Sequence, residues 1–229
     1  MSIDADAPEL VSIDGPQSGP MPDFLVDDGY WLGDATSLRG AVLPVEGEGR
    51  ARGLLEMESP RVYLGAAALM DSDLVERMAQ AYGSERIGVF APAARMEVSW
   101  ALETQSNADF KTVAPSRCQP GWEILDGKGD RTGAEVHWWL GAMFDRGASS
   151  AIVQVDMRDD DDLNICAALV EAFGRKVWFA PRSAEGNDFD DWMQWGKVAR
   201  LALPFAVLER EARIRRGQET EEVAACASA

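Results

Sequence analysis

The sequence predicts an α/β protein built on parallel strands wrapped by helices. Short apolar runs alternate with amphipathic stretches, and the runs are apolar at nearly every position. They also recur at about 25 residues, with starts at 61 and 86 and again at 150 and 176. Strands that are apolar on both faces are buried on both faces, which means a parallel sheet covered by helices. Units of this size fit an eightfold β/α barrel or a doubly wound open sheet. Neither GxGxxG nor GxxxxGK[ST] follows any of the runs, which weakens the nucleotide-binding open sheet.

The elements follow in order. Residues 1–22 are rich in proline, glycine and acids and keep no period, so they predict a disordered acidic tail. Residues 61–66 (RVYLGA) predict a strand. Residues 71–82 predict a helix, with Leu74, Met78 and Tyr82 on one face and Gly83 as its stop. Residues 86–91 (RIGVFA) are the next strand. Residues 132–146 carry Val136, Trp139, Leu140, Met143 and Phe144 at helical spacing, closed by Gly147. Residues 150–155 (SAIVQV) are again a strand. Residues 163–173 repeat the stripe through Ile165, Ala168, Leu169, Ala172 and Phe173 before Gly174. Strands at 176–180 and 198–203 and helices at 188–196 and 205–216 complete the pattern. The barrel-like domain is thus expected over 23–217, followed by a flexible tail over 218–229.

Composition narrows the function classes. The chain has 229 residues, 22 Lys+Arg, 39 Asp+Glu and a net charge of −17, which argues against nucleic acid and anionic membranes as partners. No apolar stretch is long enough to span a bilayer, and the acidic start lacks the pattern of a secretory leader. Cys118, Cys166 and Cys226 are an odd, widely spaced set with no CxxC, so a reducing cytoplasmic setting is expected. A single histidine, His137, leaves little material for histidine-based metal sites or triads and reads as a partly exposed helix residue.

Residues 67–95 (AALMDSDLVERMAQAYGSERIGVFAPAAR) and 121–155 (GWEILDGKGDRTGAEVHWWLGAMFDRGASSAIVQV) resemble consecutive passages of the cyclase subunit of imidazole glycerol phosphate synthase. The first also resembles, more loosely, the sister isomerase of histidine biosynthesis. The resemblance covers about residues 40–216. It implies a TIM-barrel-like (β/α)8 fold with parallel strands, and only 38 residues precede the third unit, so in the N-terminal β/α units either strands are missing or the tail supplies a shortened one. It further implies a lyase that takes ammonia from a glutaminase partner and closes an imidazole ring. In that family two aspartates at the ends of strands 1 and 5 move protons, and glycine-rich turns hold two phosphates.

The chain departs from that pattern at the residues that matter. The strand-5 aspartate falls at Pro92, which carries no transferable proton and no N–H. The strand-4 phosphate element reads GAAA over 65–68, the strand-6 turn reads Met157, Arg158, Asp159 and Asp160, and the strand-7 turn reads Ala180, Pro181 and Arg182. The strand-8 serine falls at Leu203. A dianion facing residues 159–162 would be repelled by about 3 kcal/mol per unit charge pair at about 5 Å and an effective dielectric near 20. Asp27, in a passage that echoes the family's first strand, is the candidate for the remaining catalytic aspartate, with Asp159 as a second acid–base group. Arg158, Asp159, Arg182 and Glu185 form the candidate ligand rim. Asp156, Asp159 and Asp160 could hold Mg²⁺ or Mn²⁺ through oxygen ligands; the plainer reading is a helix N-cap and first turn. No organic cofactor is implied. Arg61 takes the place of a lysine at the family's ammonia gate, whose glutamate falls at Ser150. Trp138, Trp192 and Trp195 mark a binding surface if exposed, and otherwise pack between outer helices.

The expectation is a divergent barrel of the histidine-biosynthesis type that has lost cyclase chemistry. It would serve as a binding or partner subunit, or act on a different small ligand. The alternatives are the cyclase itself and a metal-dependent enzyme using the aspartates of 156–162. An incomplete barrel would need a protein partner or a second copy to cover its strand edges.

Overall fold

The computed structural model describes residues 8–16, 20–96, 104–107, 110–113 and 120–214. Eight parallel strands close into a barrel: β1 (Glu9–Asp14), β2 (Phe24–Val26), β3 (Gly40–Leu43), β4 (Val62–Leu64), β5 (Ile87–Arg95), β10 (Ser150–Gln154), β11 (Val177–Ala180) and β12 (Arg200–Leu203). β5 and β10 are adjacent in the barrel, and the chain between them carries two hairpins. These are β6 (Thr104–Asn107) with β7 (Phe110–Val113), and β8 (Trp122–Leu125) with β9 (Arg131–Glu135). The helices are α1 (Glu48–Glu56), α2 (Ala66–Met70), α3 (Asp73–Tyr82), α4 (Val136–Asp145), α5 (Asp160–Phe173), α6 (Phe189–Gln194) and α7 over 205–214. The fold is the TIM-barrel-like α/β architecture that the alternation predicts.

The expected disordered arm over 1–22 is corrected by β1. Glu9, Leu10, Val11 and Ser12 pair with Arg200, Leu201, Ala202 and Leu203, and Ile13 and Asp14 pair with Phe24 and Leu25. The acids and prolines on either side hide a strand whose alternate residues, Val11 and Ile13, are buried inside the barrel. With β1 in place the strands are complete and the barrel has no open edge. The strand edges that the sequence left for a partner to cover are paired within the chain. The N-terminal shortening falls on the helices instead: among the described residues neither 15–23 nor 27–39 contains one. The loop after β2 covers that side itself, as Ala35 and Leu38 close over Leu25. Ser12 and Asp23 clasp the turn between β1 and β2, with Ser12 N and Oγ donating to Asp23 Oδ2 at 2.9 and 2.7 Å. The expected tail over 218–229 lies outside the described residues.

Both faces of the strands are buried, as near-continuous apolar runs require. Outward residues such as Leu43, Leu64, Val89, Val153, Phe179 and Leu203 pack under the helices. Inward residues fill the barrel around Phe24, whose ring meets Tyr63 edge-on at 5.4 Å and Trp178 at 5.2 Å. Gly88 makes room for Tyr63, because a Cβ there would sit 2.5 Å from the ring. Below this aromatic layer Glu9 gathers Arg39, Arg200 at 3.2 Å and Arg175 at 3.4 Å, while Arg200 lies over the Trp178 ring at 4.8 Å. Burial works against the Glu9 charge, but the hydrogen bond from Arg39 and the field of the three arginines outweigh it and hold the carboxyl below its ordinary range.

Two local expectations shift. Residues 132–135 belong to β9, so α4 begins only at Val136, because Glu123 pairs with Glu135 across the hairpin. On α5 the buried face is Asp162, Leu163, Cys166 and Leu169, and Ala168 and Ala172 are exposed. The helix is turned toward Asp162 because that carboxylate is bonded inward.

Barrel closure through β1 has a measurable consequence. Val11→Asp puts an unpaired charge into the interior and should lower stability by about 3 kcal/mol or more in urea unfolding. Met70→Asp, at an exposed position, should stay within about 0.5 kcal/mol of the unchanged protein.

Candidate functional site

The C-terminal ends of the strands form the open mouth of the barrel, the end where catalytic and binding residues of this fold collect. Two cavities lie there. The smaller, about 360 Å³, is bounded by the end of β5 and the turn after β10, with Arg95, Arg131, Asp156, Arg158, Asp159 and Arg182 on its wall. The larger, about 560 Å³, lies over the barrel axis. Its apolar wall includes Ile13, Val26 and Phe90, and the β8–β9 turn contributes Asp126, Gly127 and Lys128. Arg182 lines both.

The hairpin positions this turn. β8 continues from the end of β5 in antiparallel pairing, Ala93 with Ile124 and Arg95 with Trp122. Glu123 is buried, ion-paired to Arg131, and accepts from Gly133 N at 3.0 Å. Asp126 accepts from the backbone of Lys128 and Asp130 at 2.8 Å each, bonds that hold its carboxyl below the ordinary range. A Cβ at Gly127 would sit 3.3 Å from Val45 and 3.4 Å from Ala66, so the turn reaches toward the far side of the mouth.

The acidic run after β10 is partnered, not free. Asp156 accepts from Arg182 N at 2.9 Å, Ser183 N at 2.8 Å and Asn187 Nδ2 at 3.3 Å, which shapes the loop after β11. Asp159 is the N-cap of α5, accepting from Asp162 N at 3.1 Å, and its other oxygen meets Arg95 at 2.5 Å. Arg95, followed by the backbone bond, draws the Asp159 carboxyl below the ordinary aspartate range. Asp161 pairs with Arg95 at 2.8 Å. Asp162 is buried and accepts from Trp122 Nε1 at 2.9 Å and Arg158 N at 3.0 Å. The repulsion expected of residues 159–162 is therefore largely neutralised by Arg95 and by these donors. By contrast, the side chains of Arg158 and Arg182 are exposed and have no acidic partner among the described residues.

Four of the residues picked out from the sequence, Asp156, Arg158, Asp159 and Arg182, thus share one cavity wall. Glu185 does not line it; its backbone engages Ser183 in the exposed loop. Asp156, Asp159 and Asp160 are not brought together as metal ligands, and among the described residues no cluster of three or more His, Cys, Asp or Glu could hold an ion. Asp160 is an exposed residue of the first turn of α5.

Asp27 follows β2, not β1, is 1% exposed, and is locked to Arg50 through Nε at 2.5 Å and Nη2 at 3.0 Å. Arg50 also donates to the Trp31 carbonyl, so the pair pins the loop that stands in for a helix. The carboxylate at the end of β1 is Asp14, which lines the larger cavity and accepts from Phe205 N at 2.9 Å. Sequence reasoning missed it because ELVSID was assigned to the tail, although the alternation of Leu10, Ser12 and Asp14 against Val11 and Ile13 was the signal. It also missed Arg95 and Trp122, whose roles depend on residues 64 and 40 positions away.

At the opposite end, Arg61 donates to the Glu85 carbonyl at 2.8 Å and to Tyr63 Oη at 3.4 Å. Ser150 is buried between Tyr63 Oη at 3.3 Å and the Lys176 carbonyl at 3.1 Å. His137 is exposed against the Phe173 ring, as expected. Trp138 and Trp195 are exposed, but Trp192 is buried against Phe189. Cys166 is buried, which pushes its thiol well up; Cys118 and Cys226 lie outside the described residues. No helix among the described residues is long and apolar enough to cross a membrane.

Compared with models of known protein families and with curated protein sequences, the chain matches none. Fold and site define an α/β barrel with an arginine-bearing mouth.

Two outcomes follow. Trp122→Phe leaves Asp162 without its buried donor and should cost about 1–3 kcal/mol in urea unfolding. A carboxyl held low in the folded state adds stability that is complete above its unfolded pKa, about 3.9, and is lost as pH falls through the lower folded value. Arg95→Gln should therefore flatten the acid limb of melting temperature between about pH 6 and pH 2.5, leaving only the part of the Asp159 contribution that the Asp162 backbone bond supplies.

Proposed function

We propose that this chain is a barrel of the histidine-biosynthesis type that has lost cyclase chemistry and binds a small anionic, non-phosphorylated ligand at its mouth. The observation that carries this reading is the Arg158 and Arg182 pair: two cationic side chains without acidic partners among the described residues, on a cavity whose carboxylates are already engaged. The kinship rests on the order of strands and on the WEI hairpin followed by the TG turn and an amphipathic helix, which here are β8, β9 and α4.

The lost chemistry is argued at the mouth. Of the two proton-moving groups the resemblance implies, Asp14 ends β1, but β5 offers only Pro92, paired with Gln154. A phosphate cradle needs converging backbone N–H groups. Pro44, Pro92, Pro181 and Pro204 line the larger cavity and have none, and the N–H groups of Arg182 and Ser183 are given to Asp156. Ammonia arriving through the barrel would meet the Phe24, Tyr63 and Trp178 layer and the Glu9 ion cluster beneath it, which speaks against a glutaminase partner feeding this chain. A working enzyme is the second reading, favoured by Asp14 alone.

Calorimetric titration with acetate and with inorganic phosphate tests the proposal. Acetate should bind, and Arg182→Gln or Arg158→Gln should weaken it by about tenfold or more, the worth of one charge-assisted hydrogen bond. Turnover of the ribulosyl-formimino nucleotide with ammonium, abolished in Asp14→Asn, would overturn the loss of cyclase chemistry.

A further inference from the structure

The larger cavity has a character the arginine pair does not explain. Its inner wall is hydrocarbon from Ile13, Val26 and Phe90, and the rims of Pro44, Pro92 and Pro204 face the same space. Proline rings present flat C–H faces and no N–H, so this wall offers a ligand contact area and almost no hydrogen bonds. The cavity opens at Arg182, which also lines the smaller one, and Lys128 reaches it from the β8–β9 turn. A guanidinium fork matches a planar two-oxygen acid. The neighbouring carboxylates Asp14, Asp126 and Asp156 disfavour a dianion.

We infer that the ligand class is an aryl carboxylate, with its ring against the proline-lined wall of the barrel mouth and its acid group on Arg182. The inference rests on the anion-binding reading of the same mouth and adds the apolar half of the ligand. A ring of this kind fits a cavity of about 560 Å³ with room for substituents. The β8–β9 turn would cover its outer edge, since Gly127 lies near enough to Val45 that a Cβ there would sit 3.3 Å from it.

Three probes separate the parts: indole-3-acetate, acetate, and uncharged indole-3-ethanol, titrated calorimetrically into the unchanged protein, Arg182→Gln and Val45→Asp. Val45 lines the larger cavity only, and both substituted positions are exposed, so the variants should keep the fold, checked by circular dichroism. Indole-3-acetate should bind at least about tenfold tighter than acetate, from the ring area removed from water. Arg182→Gln should weaken both acids by at least about tenfold and leave indole-3-ethanol unchanged. Val45→Asp should weaken indole-3-acetate by clearly more than acetate, which feels only the added charge. Equal binding of the two acids, both dependent on Arg182, would overturn the aryl class and leave the anion site standing. Tight indole-3-acetate binding insensitive to Val45→Asp would place the ring elsewhere and likewise overturn it. If neither acid responds to Arg182→Gln, the anion site itself falls.

Discussion

A barrel of eight short parallel strands closes only if every strand has a neighbour on both sides, and in this chain that condition is met by six residues near the N-terminus. Glu9–Asp14 takes β12 on one side and β2 on the other. Without it the ladders of β2 and β12 would each have a bare edge, and the interior aromatic layer would have no wall on that side. The same strand delivers Glu9 to the arginines at one end and Asp14 to the mouth at the other. Closure, the sealed floor and part of the mouth therefore depend on one set of backbone hydrogen bonds.

The two ends of the barrel treat charge differently. At the N-terminal end Glu9 is surrounded by arginines and by the Trp178 ring, and Tyr63 fills the interior above them. That end is packed. At the C-terminal end most acids are spent on the protein's own structure: Asp156 on a loop, Asp159 on a helix cap, Asp162 on an indole. The exposed side chains of Arg158 and Arg182 are left without acidic partners among the described residues, despite a net charge of −17 for the chain. The overall charge thus says little about the local preference of the mouth.

Proline has a double effect there. At Pro92 the position where the resemblance expects catalysis offers neither a proton carrier nor a backbone donor, and with Pro44 and Pro204 it presents a hydrocarbon surface to the larger cavity. The aspartates after β10, by contrast, are engaged as a loop anchor, a helix cap and an indole acceptor.

The sequence by itself determined the β/α alternation, because burial on both faces of a strand and on one face of a helix leaves unmistakable apolar patterns. It also determined the mouth location of Arg158, Asp159 and Arg182, since residues just after a strand must sit at its C-terminal end. It could not reveal that ELVSID is a strand, because six residues among acids and prolines become a strand only when β12, some 190 residues later, supplies the partner. Nor could it sort the carboxylates. Asp27 and Asp159 look alike as letters, but one is locked to Arg50 and the other caps a helix under Arg95, and those partners are chosen by distances that exist only once the barrel has closed.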